Sequence, residues 1–403
     1  MRVVVVGAGV AGGVIARGLR DLPGLELILV EQVAPGDHAS AGNGLNIGPN
    51  ALLALDRVLP ALAAELRRAS LPWMRWHAAL IDGTPIYEIP LLEVAAVPGV
   101  RTRWSELYRI AREGVADLTR YHERCVDASI GADGKPRIAL ARAGREASEE
   151  IADIDLLIAA DGRYSGIRER LCGAPAVRHL GVANFRGLAE DRSNGLVDDL
   201  VQYFCGPSRM LAYKLPDGLI YLTGNFPIVP GAEIADAEKT AGFLRDAFLP
   251  RAGPIDPAGG FLVEATCARV ESLHWSRLQE NATRFRAAGG RVLFVGDSAH
   301  AMAPTLGQGA TQAIEDGCAF VDLFRARHGV AGLDVGELTA AFELRRGERI
   351  AFVKRLSWDS SASMLAGADP LALDRAKARP PYRAALRRLY VELGFGAPAD
   401  HAA

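Results

Sequence analysis

Three glycines, Gly7, Gly9 and Gly12, follow the β-branched run Val3 to Val6 in RVVVVGAGVAG, and an acid, Glu31, comes about 20 residues later. This spacing suits a dinucleotide: Gly7 permits a tight turn, Gly9 lets the backbone approach a pyrophosphate, and Gly12 allows close packing of helix on strand. The helix that follows would present its N-terminus to the phosphates. Glu31 is placed to accept hydrogen bonds from a ribose 2′-hydroxyl, and its charge disfavours a 2′-phosphate, so the adenosine half reads as that of NAD or FAD rather than NADP. A solvated Glu at a strand end is the plainer alternative. A second stretch, GDSAHAMAPTLGQGATQAIED (296–316), follows another apolar run, RVLFV. Gly296 and Asp297 at that strand's end would put a carboxylate beside a second sugar-like hydroxyl. Pro304 and the turn from Gly307 to Gly309 would deliver backbone N–H groups at a new helix start.

Positioning these residues requires a βαβ unit. Val3 to Val6 supply the first strand, a helical pattern continues to Leu19, and a second apolar run from Leu25 to Val30 ends at Glu31. Arg2 and the uncharged stretch to Ala16 have the outline of a signal peptide, but the βαβ reading accounts for more of the pattern. Beyond Gly309, the residues Ala310, Ala313, Ile314, Gly317, Cys318 and Val321 recur at helical spacing. No second fingerprint of the first kind appears downstream, so one resident dinucleotide is expected.

The chain has 403 residues, 49% hydrophobic and 23% charged, enough for two domains with cores. Lys and Arg total 46 against 48 Asp and Glu, a net charge of −2, so no global field favours nucleic acid or an anionic membrane. No apolar run approaches the roughly 18 residues of a membrane span. The 5 cysteines, Cys125, Cys172, Cys205, Cys267 and Cys318, lie far apart without a CxxC. That spacing suggests no zinc site, redox dithiol or disulfide framework, and it fits a reducing cytoplasm. Small-molecule partners are expected, with the protein a monomer or homodimer.

The 296–318 stretch resembles the GD motif of the class A flavoprotein monooxygenases, the aromatic hydroxylases related to para-hydroxybenzoate and salicylate hydroxylases. Ser298, Thr311 and Gly317 stand where that motif usually has Ala, Asn and Ala. A second motif of the family, DGxxSxVR, is matched by Asp161, Gly162, Ser165 and Arg168 in LLIAADGRYSGIRERL. The resemblance covers roughly 1–60, 100–172 and 290–325. It implies an α/β fold: a glutathione-reductase-like, FAD-binding Rossmann domain (1–72, 101–179 and 276–336) with an inserted, mostly antiparallel β substrate domain (73–100 and 180–275) and a helical C-terminal region (337–403). It also implies non-covalent FAD as cofactor, with NADH or NADPH and dioxygen as co-substrates.

By the same resemblance, Asp297 binds the ribityl chain, and the 307–311 turn (Gly307, Gln308, Gly309, Ala310, Thr311) lies along the pyrimidine edge of the flavin. Asp161 sits near the pyrophosphate and the transient NAD(P)H path. Ala11, Gln32, Val126, Gly162, Arg168, Gly296 and Pro304 complete the implied cofactor set. NGLNIGPNALLAL (43–55) resembles the stretch that passes beside the flavin, with Asn50 then capping a helix. The family's Arg-x-x-Leu element is displaced in RTRWSELYRI: Trp104 is in frame with Leu107, and Arg103, one position away, is kept as a candidate FAD contact.

The implied chemistry is reduction of FAD by NAD(P)H, addition of dioxygen at the flavin C4a carbon, and transfer of the distal oxygen of that C4a-hydroperoxide to an electron-rich ring. The protein must add a dry pocket, a positive environment and groups that hold the ring. LVQYF, RMLAYKLP, GLIYLTGNF and GFLVEAT read as short β runs, with Pro216, Asp217 and Gly218 as a turn, together forming a sheet that could roof the flavin. Alternation puts Arg209, Leu211 and Tyr213 on one face, where an Arg and a phenol could fix a carboxylate and a ring hydroxyl. Arg186, which matches an Arg common in relatives, and Tyr87 and Tyr221 are further candidates; ordinary packing is the plainer reading of each. The substrate expected is an activated aromatic or N-heteroaromatic ring, led by a hydroxy-aromatic carboxylate. Alternatives are a same-fold FAD reductase or oxidase and a non-catalytic FAD-binding module. A hydrolase built on GDSAH is disfavoured, since Ser298 and His300 share one loop and no GxSxG elbow exists. The basic stretch 375–388 reads as a solvated helix face, and the tail 396–403 as frayed.

Overall fold

The computed structural model describes residues 1–37, 43–142, 149–329 and 333–395; the expected fraying of 396–403 lies outside them. The β-branched strand Arg2–Val6 lies between Leu156–Ala159 and Glu26–Val30, pairing parallel with both (Val3↔Leu156, Val3↔Leu27). Val3, Val4 and Val5 have no exposed surface, as expected for a strand covered on both faces. The sheet runs Arg286–Ala287, Val292–Phe294, Leu156–Ala159, Arg2–Val6, Glu26–Val30, Thr119–Arg120, and only its first pair is antiparallel. Three adjacent strands therefore end on the same side, and each leads into one of the three motifs. The crevice beyond the carboxyl ends of such strands is where open α/β sheets hold ligands.

The first turn is closed by packing that admits only glycine. Gly7 has φ +101°, and a Cβ there would lie 2.4 Å from the carbonyl oxygen of Ala160. At Gly12 it would lie 2.0 Å from that of Gly7.

A second, seven-stranded sheet has the order His274–Asn281, Val177–Glu190, Leu219–Pro227, Ser208–Leu215, Leu200–Cys205, Arg75–Leu80, Pro85–Pro90. All its pairs are antiparallel except Leu200–Cys205 with Arg75–Leu80. The expected turn joins Ser208–Leu215 to Leu219–Pro227, with Asp217 and Gly218 at φ +64° and +68°. One face of this sheet buries Phe185, Phe226, Phe248 and Leu262 in a separate core with the helices Ala241–Phe248 and Pro257–Cys267. GFLVEAT, expected as a strand, lies in the second of these helices. Asp256 caps it through the N–H groups of Ala258 and Gly259, with Pro257 in the first turn, and this cap decides an apolar run that period alone leaves ambiguous.

The C-terminal region is helical, starting at Val335–Asp359 with Asp334 as its cap. The basic stretch is not a solvated face throughout: Lys377 is buried, and Arg383 and Arg387 reach back to the 88–93 segment. No described helix is long and apolar enough to cross a membrane.

Candidate active site

A cavity of about 750 Å³ lies between the carboxyl ends of the parallel strands and the free face of the seven-stranded sheet. Its floor includes Gly9, Ala11, Gly162, Gly296 and Asp297, and its side wall Pro304, Gly307, Gly309 and Ala310. A Cβ at Gly9 or Gly162 would meet nothing within 4 Å, and at Gly309 only the Asp297 carboxylate, at 3.9 Å. The backbone at these points is bare toward open space, as a phosphate or flat-ring cradle requires.

Glu31 stands at the end of its strand, 7% exposed, and braces the glycine turn. Its Oε2 accepts from the Ala8 N–H at 2.8 Å and its Oε1 from the Val33 N–H at 3.2 Å. Arg112 completes the brace, with Nε donating to the Ala8 carbonyl at 2.8 Å and Nη2 to Glu31 at 3.3 Å. No sequence pattern marked Arg112, which arrives from a distant helix. Gln32 is exposed and Val126 half-buried, and neither lines the cavity.

Of the DG motif, Gly162 lines the cavity but Asp161 and Arg168 do not. The Asp161 carboxylate turns to the start of helix Gly166–Cys172, accepting from the Ile167 N–H at 3.3 Å, and burial pushes its pKa up. Arg168 donates to the carbonyls of Ser298 at 2.9 Å and Ala299 at 3.1 Å, holding the Gly296 loop from behind.

That loop contains a short helix, Asp297–His300, that the sequence did not signal. Gly296, at φ +60°, donates its N–H to Asp316 Oδ2 at 2.8 Å. The same oxygen meets His300 Nε2 at 2.7 Å, and Arg346 Nε holds the other at 2.7 Å. Burial alone would raise the Asp316 pKa, but the His300 and Arg346 contacts and the Gly296 N–H hold it down at about 2. With its backbone anchored in this way, Asp297 is left half-buried on the cavity wall with no protein hydrogen bond among the described residues.

In the next turn, Gly307 (φ +64°) precedes helix Gln308–Arg327. Gln308 and Thr311 are wholly buried and do not line the cavity. Thr311 Oγ1 accepts from the Gly48 N–H at 3.0 Å and donates to the Gly307 carbonyl at 3.1 Å, stitching the turn to the 44–48 segment. Gln308 Oε1 accepts from Asn50 at 3.0 Å. Asn50 therefore does not cap its helix: Pro49 begins it, Gly48 is the N-cap, and the Asn50 side chain is drawn into the buried Gln308–Glu315 network. Arg103 ends its strand with a buried Nε that has no partner among the described residues, whereas the in-frame Trp104 lines the cavity, as does Tyr108.

The roof follows from sheet register. Arg209, Leu211 and Tyr213 pair across to Asn225, Thr223 and Tyr221, and all six line the cavity. Arg186, opposite Thr223 on the next strand, lines it too. Tyr213 and Tyr221 stack at 4.8 Å, and burial raises both phenol pKa values, keeping them neutral donors. Tyr87 shares this face but not the cavity. It pairs with Ala78, which pairs with Gln202, and across that small alanine its hydroxyl meets the Gln202 amide.

Arg209 is 6% exposed; its Nη2 donates to Asn225 Oδ1 at 2.7 Å, and its Nε has no partner among the described residues. Burial works against its charge, yet a guanidinium stays protonated, so a buried cation faces the cavity with no carboxylate in ion-pair contact among the described residues. Arg186 likewise has no acidic partner among them, and its Nε is buried without one. Trp73, Trp76, Asn184 and His274 also line the space, and the sequence singled out none of them.

A family model described as an FAD binding domain matches residues 263–327. The chain is 28% identical over 369 residues to 3-amino-4-hydroxybenzoate 2-monooxygenase PtmB3 of Streptomyces platensis, covering 88% of this chain and 86% of the relative. It is also 28% identical over 382 residues to 6-hydroxynicotinate 3-monooxygenase of Pseudomonas fluorescens, covering 89% and 91%. Its fold is that of Klebsiella pneumoniae HpxO, solved with FAD and uric acid: TM-score 0.77 at 20% identity, covering 98% and 96%. With its glycine turn, its Gly296–Asp297 loop and this likeness along nearly the whole length, the chain is similar to the FAD-dependent monooxygenases of the aromatic-hydroxylase class.

Proposed function

We propose that the protein hydroxylates an activated aromatic or N-heteroaromatic ring bearing a carboxylate, with NADH or NADPH as reductant. One observation carries the substrate class: Arg209 brings a buried cation to the cavity wall, where its hydrogen-bond partner is the neutral amide of Asn225 and no carboxylate of the described residues is in ion-pair contact with it. Such a charge is satisfied when a carboxylate arrives. Two similar relatives are named for ring carboxylates, an aminohydroxybenzoate and a hydroxynicotinate, in keeping with this reading.

Bound FAD supplies the activation of dioxygen. The chain's own residues have the remaining tasks. Gly9, Gly162 and the start of helix Gln308–Arg327 cradle the cofactor, and Asp297 accepts a hydrogen bond from its ribityl chain. Arg209 holds the carboxylate, Arg186 adds positive charge, and the Tyr213–Tyr221 pair orients the ring and its hydroxyl. Trp73, Trp76 and Leu211 keep that end dry. In this reading the cofactor part comprises 1–72, 101–179 and 276–336, and the roof 73–100 and 180–275. The five free cysteines fit a cytoplasmic enzyme.

The test is a screen of hydroxy- and amino-aromatic acids against neutral phenols, following NAD(P)H loss and hydrogen peroxide together. Acids are expected to be hydroxylated with little peroxide. Arg209→Ala is expected to raise KM for them by roughly 10- to 100-fold and to increase peroxide release. Turnover of neutral phenols alone, with Arg209→Ala unchanged, would overturn the carboxylate assignment; NAD(P)H oxidation without any hydroxylated product would favour a reductase or oxidase.

A further inference from the structure

The free face of the seven-stranded sheet has two coverings. Over the strands that carry Arg209, Thr223 and Arg186 lies the cavity; over Pro85–Pro90, at the other end, lie helix Pro370–Arg375 and the turn Ala376–Ala378. That second covering buries an ion pair. Asp374 is 1% exposed and Lys377 7%, and Lys377 Nζ lies 2.7 Å from Asp374 Oδ1 and 3.1 Å from the Ser360 carbonyl oxygen. Among the described residues the Asp374 carboxylate has this ion pair with Lys377 and no further side-chain or backbone hydrogen bond. Neither residue lines the cavity.

The pair is within electrostatic reach of Arg209 but not in contact with it. The Asp374 charge favours the Arg209 cation; burial depresses the Lys377 pKa against the pull of Asp374, and the Arg209 cation adds a smaller push in the same direction as burial. Tyr87 and Tyr382 feel the same two charges, and Tyr382 is tied by its hydroxyl to Ser360 Oγ at 3.0 Å. Two cations and one anion thus share a dry region, and only one cation faces the ligand. Replacing a buried ion pair with apolar residues often costs a fold nothing, so stability alone does not explain this one.

We propose that Asp374 and Lys377 are positioning residues that set the pull of Arg209 on the ring carboxylate. Lys377 cancels the field of Asp374, so the Arg209 charge is available to the ligand instead of being spent on a carboxylate of the protein. The inference rests on the carboxylate reading of the cavity.

Opposite signs are expected from the two single variants. In FAD-loaded protein, Lys377→Met exposes Arg209 to Asp374 and weakens binding of 6-hydroxynicotinate or 3-amino-4-hydroxybenzoate by about 10-fold. Asp374→Asn leaves two cations and tightens binding by about 3-fold or more. The carboxamide of each acid, read by the same flavin absorbance titration, shifts by less than about 2-fold in both variants. A merely structural pair would weaken acid and amide alike in both, and that result overturns the proposal. Because an uncompensated buried lysine could unfold Asp374→Asn, the double variant Asp374→Asn/Lys377→Met is measured beside it. Binding of the acid within about 2-fold of wild type is expected there, and a loss of about 10-fold or more with FAD retained is equally fatal. Wild-type protein that bound the amides as well as the acids, or bound neither, would instead overturn the carboxylate reading itself.

Discussion

Asp297 and Glu31 are both acids at strand ends, yet the fold uses them differently. Asp297 keeps its carboxylate for the cavity, while Glu31 spends both oxygens on the backbone of the glycine turn and on Arg112. Asp297→Ala is therefore expected to weaken FAD by roughly 1 to 3 kcal/mol with little change in melting temperature. Glu31→Ala is expected to lower both FAD affinity and Tm, because it strands the Ala8 N–H and removes the carboxylate that ties Arg112 to the glycine turn. Titration of apoprotein with FAD, alongside thermal melts, separates the two; equal Tm losses would contradict the division of roles. At this scale the sequence was legible where the requirement is a local turn, as at Gly7 and Gly12, and it foretold the place of Asp297 at a strand's end, which the structure puts on the cavity lining. It was illegible where the partner is distant: nothing near Arg112 announces Glu31, and nothing near Asn50 announces Gln308.

Helices Gln308–Arg327 and Val335–Asp359 are joined by buried charges, of which Arg346, Glu315 and Asp316 have no exposed surface. Arg346 reaches Asp316 and Glu315 at 2.7 and 2.8 Å, and Arg349 reaches Glu315 at 3.0 Å. Asp316, held at about 2 against an ordinary 3.8, and Glu315, lowered from 4.5, both have folded-state values below their unfolded ones. Their contribution to stability is therefore complete above their ordinary values and is lost as pH falls through the 4.5 to 2 window. Arg346→Met is expected to cost about 3 to 5 kcal/mol near neutral pH, since it leaves two buried carboxylates with fewer partners. That gap from wild type should narrow as pH falls toward 3, and urea midpoints at both pH values measure it. A gap that stayed constant would mean the loss is one of packing. Periodicity foretold the 308–327 helix and the inward face of Arg209, Leu211 and Tyr213, because both depend on local repeats. It failed for 260–266, where an Asp256–Pro257 cap outweighed strand-like residues, and for Lys377, whose burial depends on a strand nearly 300 positions earlier.

Across the whole molecule, one cavity joins the carboxyl ends of one sheet to the free face of another, so in the proposed reading a ring held under Arg209 would share its space with the cofactor. Reduction by NAD(P)H is accordingly expected to be slow in the resting enzyme and to accelerate when a hydroxylatable acid binds. Stopped-flow traces at the flavin absorbance test this, and equal rates with and without the acid would show the two ligands to be uncoupled. The roof has a further property. Positions 209, 211, 213, 221, 223 and 225 point into the cavity from two neighbouring strands, while the alternate positions between them belong to a separate core behind the sheet. Selection, natural or in the laboratory, can therefore rewrite what ring the enzyme accepts at every second residue of one hairpin, without altering the core behind the sheet or the glycine turns of the floor.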